Sequence, residues 1–518
     1  MWRRLIVYNR VKYFRRRQFV LGPEHIDYEG WARMKVADKY LLTIHPDLPA
    51  TIVEDGAKKA VLLGYAIDPY HSESTDEDIL KRFLGTSLSL DAVISGLEKL
   101  SGRFVLLIVS PTGKWLFPDT CALRQVNYCY DDQGAIWCAS QPETLAERFG
   151  FQYDEEVLSY RELAISALTK EEYWLINDRT PYREVKYLLA NHYLDLSQGK
   201  AFRFWPVREC IGSLSMDDSI KHASPIIQNS IKSAANKFNL KMGISAGSDS
   251  RRSLAATRDV TEKIYYFTHT PGSYGADMEI PARLLPKLGI EHHKHDLQRM
   301  SPEFRKYYES SATWARERRG NIAFTALRKF GSEATVLNSN ISEIHQCWYW
   351  LPKSKINGEG LAIATRLNHP LAIKEFQRWI DGAKTACEQS EMNILVLFDY
   401  ELRSRWVTAA LSEYDIAHET FNPYNNRYLS CMELAIDERY RRGQRLDMII
   451  KQIKYMWPDV LIEPINPEQD AMRKIKQFIL SFIIHKAITP WLPAYQYLKY
   501  LRLKRLFNQQ ATQNELYS

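Results

Sequence analysis

A short loop near the middle of the chain constrains the fold more than any other feature. Residues 241–250 read Lys-Met-Gly-Ile-Ser-Ala-Gly-Ser-Asp-Ser, and Arg-Arg-Ser-Leu-Ala-Ala follows. An apolar run, a turn of small residues and a helix-compatible stretch predict a strand, a tight loop and a helix N-terminus. This junction suits a polyphosphate, because backbone amides and the positive end of the helix dipole face the anion.

The loop also carries a carboxylate, Asp249, which would repel phosphate unless a cation lay between them. A Mg²⁺ ion that bridges phosphate oxygens gives this side chain a role. The loop is not a Walker loop, since no Gly-Lys-Ser/Thr follows its glycine. We therefore expect it to bind nucleotide phosphates, with Asp249 as a magnesium ligand. The alternative is a Ser/Gly turn that only caps the helix.

Length and composition describe an ordinary globular protein. The 518 residues predict two or more domains, and a net charge of +7 is modest for this size. Basic residues concentrate at both ends, which leaves a membrane surface open as a partner, but no nucleic-acid motif is present and no nucleic acid is expected. The seven cysteines form no CxxC pair, and neither a secretory signal nor a transmembrane segment is visible. These features predict a cytoplasmic protein.

The sequence pattern changes near residue 205. Before it, short apolar runs such as 103–109 and 114–117 alternate with turn signals, which predicts an α+β domain with stacked antiparallel sheets. After residue 215, helical and strand patterns alternate, which predicts an α/β domain with a parallel sheet, and residues 390–460 read as mainly helical. We place the domains at residues 1–205 and 206–470, followed by a basic helical tail at 471–518.

Several motifs together resemble the asparagine synthetase family. The central loop is similar to its pyrophosphatase loop (PP-loop), Ser-Gly-Gly-x-Asp-Ser, with Ala246 at the second position. Residues 100–106, 117–120 and 138–140 resemble the family's glutaminase domain. The resemblance implies an Ntn-hydrolase-like first domain, then a PP-loop (adenine nucleotide α-hydrolase-like) domain with a helical C-terminal part. It also implies ATP and Mg²⁺ as cofactors.

The chain departs from this family at its N-terminus. Glutaminases of this type use a cysteine at position 2, whose own α-amine is the base, and this chain has Trp2. The nearest cysteine is Cys121. We therefore predict that the first domain does not hydrolyse glutamine and instead covers a face of the second domain.

Further site residues follow from the resemblance. Asp277 leads a helix, where it is either a helix-start charge or a contact to substrate or Mg²⁺. The histidines of 291–293 read as a strand-edge pair. Residues 336–343 stand in the place of the family's Ser-Gly-Glu-Gly-x-Asp-Glu loop, with Ser342 at the Asp position. Glu343 is retained, and we expect it to be a catalytic residue and a second magnesium ligand.

The lysine that stabilises charge in this family is missing. Its place reads Glu463-Pro-Ile, so Arg403, Lys451 or Lys454 is expected to substitute for it. The predicted catalytic set is Asp277, Glu343, Arg403 and Lys451. The predicted nucleotide-binding set is Ser245, Ala246, Gly247, Ser248, Asp249, Ser250, Phe267, Asn338 and Ser339.

Two functions remain open at this point. The first is an ATP-dependent amide-forming ligase without its own glutaminase, which adenylates a carboxylate, releases pyrophosphate, and transfers the acyl group to ammonia or an amine. Asparagine, and thus asparagine biosynthesis, is the product that the resemblance implies, but another carboxylate, as in β-lactam synthetases or peptide macrocyclases, fits equally. The second is a catalytically degenerate nucleotide-binding or interaction protein. A homodimer is possible in either case.

Overall fold

The computed structural model describes residues 12–85, 88–168, 175–208, 212–270, 275–346, 348–441, 447–467, 497–498 and 500–505. Its strands form two six-stranded antiparallel sheets and one five-stranded parallel sheet. The strands are β1 (Phe19–Gly22), β2 (Ala32–Ala37), β3 (Tyr40–Ile44), β4 (Ala50–Asp55), β5 (Lys58–Ile67), β6 (Ser101–Ser110), β7 (Gly113–Pro118), β8 (Asn127–Tyr130), β9 (Ile136–Ala139), β10 (Lys186–Tyr187), β11 (His192–Asp195), β12 (Lys200–Arg203), β13 (Leu240–Gly243), β14 (Tyr265–Thr270), β15 (His292–Asp296), β16 (Thr335–Leu337) and β17 (Glu419–Phe421).

The first half of the chain is a sandwich of the two antiparallel sheets. Their strand orders are β10-β8-β9-β1-β3-β2 and β12-β11-β7-β6-β5-β4. Leu21 and Leu42 from the first sheet pack against Val61 and Leu107 from the second, so one apolar layer joins the two inner faces. The prediction of an α+β region with stacked antiparallel sheets is confirmed. Helices cover the outer faces at Asp76–Gly85, Leu90–Glu98 and Pro142–Phe149, whereas Glu155–Leu168 packs against the later helix Pro370–Ser390.

The second half contains the parallel sheet, in the order β15-β14-β13-β16-β17. Apolar residues of β13 such as Leu240 and Met242 are fully buried, because helices cover both faces of a parallel sheet. The predicted α/β region with a parallel sheet is confirmed. The helices around it are Met216–Lys237, Ser248–Ala255, Ala276–Lys287, Pro302–Glu309 and Glu317–Phe330, with a 3₁₀ helix at Arg258–Lys263.

A helical region follows the fourth strand of this sheet. Its longest members are Pro370–Ser390 and Ile394–Ser412, and the second of these is buried along most of its length. The short strand β17 interrupts the helices, which the mainly helical prediction for 390–460 missed. The remaining helices are Gly358–Thr365, Arg427–Leu434, Glu438–Arg441 and Asp447–Met456, with 3₁₀ helices at Lys353–Lys355 and Pro458–Leu461.

A buried cluster of charges joins the sandwich to the parallel sheet. Glu419, on the edge strand β17, pairs with Arg103 at 2.9 Å and with Arg124 at 2.6 Å, and both arginines come from the sandwich. Burial alone would raise the pKa of Glu419, but the two guanidinium groups outweigh it and hold the pKa well below its usual value. Breaking such a buried pair leaves an uncompensated charge, so the cluster ties the two halves together.

Three earlier expectations concern the ends of the chain or the membrane. Trp2 lies outside the described residues, as does most of the predicted tail 471–518. Tyr500, one of the few described tail residues, is buried against the helical region. Among the described residues, none of the helices combines the length and apolar character needed to span a bilayer. The proposed domain boundaries remain predictions.

Candidate functional site

The central loop lies where the strand order of the parallel sheet reverses. From β13, the chain continues to β14 and β15 on one side, and then to β16 and β17 on the other. In open sheets of this kind, ligands bind at the carboxyl ends of the strands, in the crevice at this reversal. The loop after β13 runs directly into that crevice, and the helix Ser248–Ala255 begins there.

Hydrogen bonds within the loop hold its shape. Ser250 Oγ accepts the backbone N–H of Ser245 at 3.2 Å, and the two hydroxyl oxygens are 3.0 Å apart. Ser245 Oγ accepts the N–H of Gly247 at 3.1 Å. The predicted serines therefore build the loop first, and their hydroxyls and amides are only partly free for a ligand.

Two other segments anchor the buried residue Ala246. Its N–H donates to Asp277 Oδ1 at 3.0 Å, and its carbonyl accepts the N–H of Asn466 at 3.0 Å. Asp277 lies in the first turn of the helix Ala276–Lys287, as the sequence predicts. The structure adds a contact to the loop backbone, so in this arrangement Asp277 supports the loop. Its catalytic role remains a prediction.

The start of the helix Ser248–Ala255 is the candidate anion site of the loop. Gly247 is its N-cap, and within the described chain no side chain caps this helix end. The first amides of a helix have no partner inside the helix, so those of Ser248, Asp249 and Ser250 are donors for phosphate oxygens. This is the part of the predicted nucleotide-binding set with the most suitable geometry.

Two predicted magnesium ligands meet beside this helix. The carboxyl groups of Asp249 and Glu343 are hydrogen bonded, and Ser342 Oγ donates to Asp249 Oδ1. Burial raises the pKa of Glu343 to about 7, and the neighbouring carboxyl groups of Asp249 and Asp399 add to the increase. Glu343 therefore keeps a proton that an ordinary glutamate loses, and a cation at this position would displace it.

Arg403 fixes Glu343 from the other side. Its Nη1 lies 2.9 Å from Glu343 Oε2, and its Nε lies 3.0 Å from Asp399 Oδ1. Asp399 is fully buried, and burial raises its pKa to about 7 although Arg403 opposes the shift. Among the described residues, its Oδ2 finds no hydrogen-bond partner. Asp399 was not among the predicted site residues, and only its position one helical turn before Arg403 could have indicated it.

The other predicted residues surround this centre or lie away from it. Ser339 Oγ contacts Ser253 Oγ of the loop helix at 2.7 Å, and the Asn338 N–H donates to the carbonyl of Phe421 at 2.8 Å. The Phe267 ring is buried and stacks on His295, while its carbonyl accepts the N–H of Ile244 at 2.9 Å. These positions are compatible with nucleotide binding, which stays a prediction for each of them.

The two lysine candidates behave differently from Arg403. Lys451 Nζ is 2.8 Å from Asp217 in a solvent-facing ion pair, and Lys454 is exposed. At the place of the missing family lysine, Glu463 lies between Lys287 at 2.6 Å and Arg283 at 3.1 Å. Of the three proposed substitutes, Arg403 is therefore the one that contacts the carboxyl pair.

A buried network beneath the loop was also missed by sequence analysis. Arg252 pairs with Glu433, and its guanidinium lies 4.5 Å from the centre of the Tyr424 ring. His345 Nδ1 is 2.6 Å from Glu433 Oε2. Burial opposes ionisation of Glu433, but Arg252 and His345 outweigh it and lower its pKa to about 2. This network connects the loop helix to the segment that carries Glu343.

The sandwich offers no reactive thiol at the position that sequence analysis named. Cys121 is fully buried between the two halves, and its Sγ lies 3.4 Å from the Tyr400 hydroxyl. Burial raises the pKa of Cys121 to about 12. Because the thiolate is the nucleophile, Cys121 is inert at neutral pH.

The donor set at the loop suits Mg²⁺ better than a metal held by protein side chains alone. Among the described residues, no group of three or more His, Cys, Asp or Glu side chains is arranged to hold a metal. Asp249 and Glu343 supply two carboxylates, and Mg²⁺ commonly takes one or two carboxylates and completes its shell with water and phosphate oxygens. These residues therefore fit a magnesium–phosphate complex.

Comparisons with known proteins leave the family undecided. No protein family and no curated protein matches the sequence. Among solved structures, the chain is similar to glutamine phosphoribosylpyrophosphate (PRPP) amidotransferase from B. subtilis complexed with ADP and GMP, at 10% identity and a TM-score of 0.24, over 53% of this chain and 68% of that chain. It is also similar to a structure of the allosteric regulatory enzyme of purine biosynthesis, at 12% identity and a TM-score of 0.25, over 59% and 76%. Both TM-scores are too low to assign fold or activity.

Proposed function

We propose that this protein is an ATP-dependent ligase that activates a carboxylate as an acyl-adenylate and transfers the acyl group to ammonia or an amine. The observation that supports this most is the carboxyl pair of Asp249 and Glu343 beside an uncapped helix N-terminus, at the reversal point of the parallel sheet. Helix amides bind phosphate and a carboxylate pair binds the cation that accompanies it, so these two features support a Mg·ATP site.

Each residue of this site has a defined task in the proposed reaction. Asp249 and Glu343 hold Mg²⁺, which when bound neutralises charge on the leaving pyrophosphate. Ser342 orients Asp249 through its hydrogen bond. Arg403 orients Glu343 and offsets its charge once the proton has left. Asp277 keeps the Ala246 peptide, and with it the loop, in place.

The chemistry needs positioning more than a reactive side chain. In the first step a substrate carboxylate oxygen bonds to the α-phosphorus, and the bond between the α-phosphorus and the bridging oxygen breaks to release pyrophosphate. In the second step the amine nitrogen bonds to the acyl carbon, AMP leaves, and the nitrogen loses a proton. Because the substrates supply both nucleophiles, the protein accelerates the reaction by holding them in line and stabilising charge. Aspartate is the first carboxylate to test, since the sequence resemblance implies asparagine.

Pyrophosphate exchange into ATP tests this proposal. The full chain is incubated with labelled pyrophosphate, ATP, Mg²⁺ and a panel of carboxylic acids that includes aspartate. We expect exchange that depends on one acid of the panel and that is lost in Asp249→Asn. Asp217→Asn is the matched control, because that carboxylate pairs with Lys451 on the surface, away from the loop. Exchange that survives in Asp249→Asn would remove the loop from the mechanism.

A nucleotide-binding protein without catalysis is the second candidate. Asn338 and Ser339 stand where the resembled family has acidic or glycine residues, and Glu343 is already in an ion pair with Arg403. Both features weaken cation binding compared with a fully acidic loop. ATP binding by calorimetry, without exchange for any acid of the panel, supports this candidate over the ligase.

A further inference from the structure

A large cavity lies at the end of the sandwich that faces away from the parallel sheet. Its volume is about 1090 Å³. Strand β6 contacts the second half of the chain at its first residue, where Ser101 Oγ is 2.9 Å from Ser230 Oγ. The cavity is lined instead by the last part of β6 at Val109 and by the paired start of β5 at Lys59. It is therefore separate from the loop site.

The cavity is formed by hairpins of both sheets. Turns between β2 and β3 and between β8 and β9 contribute from the first sheet, and turns between β4 and β5 and between β11 and β12 contribute from the second. The inner wall is apolar, because Val36, Ile136 and Leu196 belong to the buried layer between the sheets. The floor of the opening is thus the end of the buried apolar layer between the sheets.

The rim of this cavity is strongly basic. Four lysines line it and Asp38 is the one acidic residue among its lining residues; the lysines are Lys39, Lys58, Lys59 and Lys114. Asp38 is already paired, since Lys35 Nζ lies 2.9 Å from its Oδ1. The hydrogen bond from Lys35 lowers the pKa of Asp38, and Lys114, from the opposite sheet, adds to the effect.

Two of the rim lysines are available to a ligand. Lys59 pairs with Glu54 at 2.7 Å, and Lys58 donates to the carbonyl of Leu84 at 3.2 Å. In the part of the chain that the structure describes, Lys39 and Lys114 form no ion pair. They come from different sheets, so their charges converge on the opening from two sides.

We propose that this cavity is a binding site for a small organic anion, whose apolar body packs against the apolar wall while its carboxylate, sulfonate or phosphate group contacts Lys39 and Lys114. An apolar wall with a few charged groups at the mouth is the usual make-up of a small-molecule site, and the volume lies at the upper end of the range for such sites. The site does not depend on the ligase proposal, because it shares no residue with the loop.

Paired fluorescent probes test this inference. 8-Anilinonaphthalene-1-sulfonate is an anion with an apolar body, and N-phenyl-1-naphthylamine is its uncharged counterpart. We expect the full chain to bind the sulfonate more tightly than the amine, and the difference to shrink as salt is added. The double variant Lys39→Ala/Lys114→Ala should bind the sulfonate about tenfold more weakly and the uncharged probe unchanged, because it loses charge and little apolar surface.

Lys81→Ala/Lys384→Ala is the matched control, because both lysines pair with acids on surface helices and the change in net charge is the same. This variant should bind both probes as the parent does. Hydrogen exchange should show that the sulfonate protects residues 36–40 and 196–199. Equal affinity for the two probes, unchanged binding in the Lys39/Lys114 variant, or protection at other segments would each overturn the proposal. Unchanged urea unfolding of the variant excludes misfolding as the cause.

Discussion

Asp277 Oδ1 accepts the backbone N–H of Ala246 at 3.0 Å, although 31 residues separate them in the chain. The Asp277 carboxylate therefore already accepts the hydrogen bond of the amide at the centre of the predicted phosphate-binding turn. The phosphate site consequently shifts toward the first amides of the helix Ser248–Ala255, which the described side chains leave uncapped.

This contact predicts different results for two substitutions of Asp277. Asp277→Asn keeps an oxygen that accepts the Ala246 amide, so stability and exchange should stay close to those of the parent. Asp277→Ala leaves the buried amide without a partner, which costs about 1–3 kcal/mol of unfolding free energy. Urea unfolding and the exchange assay measure both effects. Loss of exchange in Asp277→Asn, at an unchanged free energy of unfolding, would show instead that the charge of Asp277 takes part in the chemistry.

Because Mg²⁺ must displace the proton on Glu343, magnesium binding should depend on pH. The pKa of Glu343 is raised to about 7, so below pH 7 each bound cation must release a proton. Mg²⁺ affinity should therefore rise about tenfold per pH unit up to about pH 7 and level off above it. Calorimetric titration of the parent and of Glu343→Gln measures this. The variant, which has no proton to release at this position, should bind weakly and without that slope.

The raised pKa of Glu343 also predicts that, without a bound cation, the folded protein becomes less stable as the pH rises. Between pH 4.5, the ordinary glutamate value, and about 7, the folded protein holds a proton on Glu343 that the unfolded chain has lost. Stability therefore falls as pH rises through this window, by up to about 3 kcal/mol for this group, since each unit of pKa shift corresponds to about 1.4 kcal/mol. Urea unfolding in the presence of a chelator should show a shallower fall in Glu343→Gln. A steeper fall in that variant would contradict the assigned proton.

The sequence pattern predicted the architecture around the loop well, because buried strands are apolar runs. For β15 it indicated only the edge pair His292 and His293, which is confirmed, and it missed β17; the two strands gave weak signals for different physical reasons. The edge strand β15 is His-His-Lys-His-Asp, and an edge strand with one solvated side has no apolar signature. The three residues of β17 are too few to show a period, and the strand owes its place to pairing with β16.

The candidate site was predicted where residues lie on the loop and missed where tertiary packing brings them together. Asp399 lies on the helix Ile394–Ser412, which is buried on nearly all sides and so lacks the polar face by which a pattern locates a charge. The contacts of Asp277 with Ala246 and of Arg252 with Glu433 join distant segments. The chemical character of a residue does not reveal which distant residue it contacts in the fold.

Arg403 and Lys451 should respond differently to substitution. Arg403→Ala leaves the buried carboxyl group of Asp399 without its partner, and removing one member of a buried pair costs about 3–5 kcal/mol. Arg403→Lys keeps the charge but cannot contact both Glu343 and Asp399 through two nitrogens. We therefore expect a marked loss of pyrophosphate exchange and a smaller loss of unfolding free energy. Lys451→Ala removes a surface ion pair worth about 0–1 kcal/mol and should leave exchange unchanged. A loss of pyrophosphate exchange in Lys451→Ala would instead assign the role of the missing family lysine to Lys451.

Burial of Cys121 predicts that the sandwich is inert toward glutamine. Its thiol pKa is raised to about 12, so less than about one part in a thousand is thiolate at pH 8. Iodoacetamide at pH 8 should leave Cys121 unlabelled in the folded protein and label it after unfolding in urea, as peptide mass spectrometry measures. Glutamine should yield no glutamate, and Cys121→Ala should give the same result.

A comparison of free ammonia and glutamine as nitrogen donors distinguishes two explanations for any amide product. If free ammonia supports product formation and glutamine does not, the sandwich acts as a structural partner that buries Arg103 and Arg124 against Glu419. Glutamate release that survives in Cys121→Ala would require a nucleophile elsewhere in the chain. Release that disappears in that variant would mean that the thiol becomes accessible, which requires the two halves to separate, since Cys121 lies buried between them. A Glu419→Gln variant weakens that junction and should then increase the release.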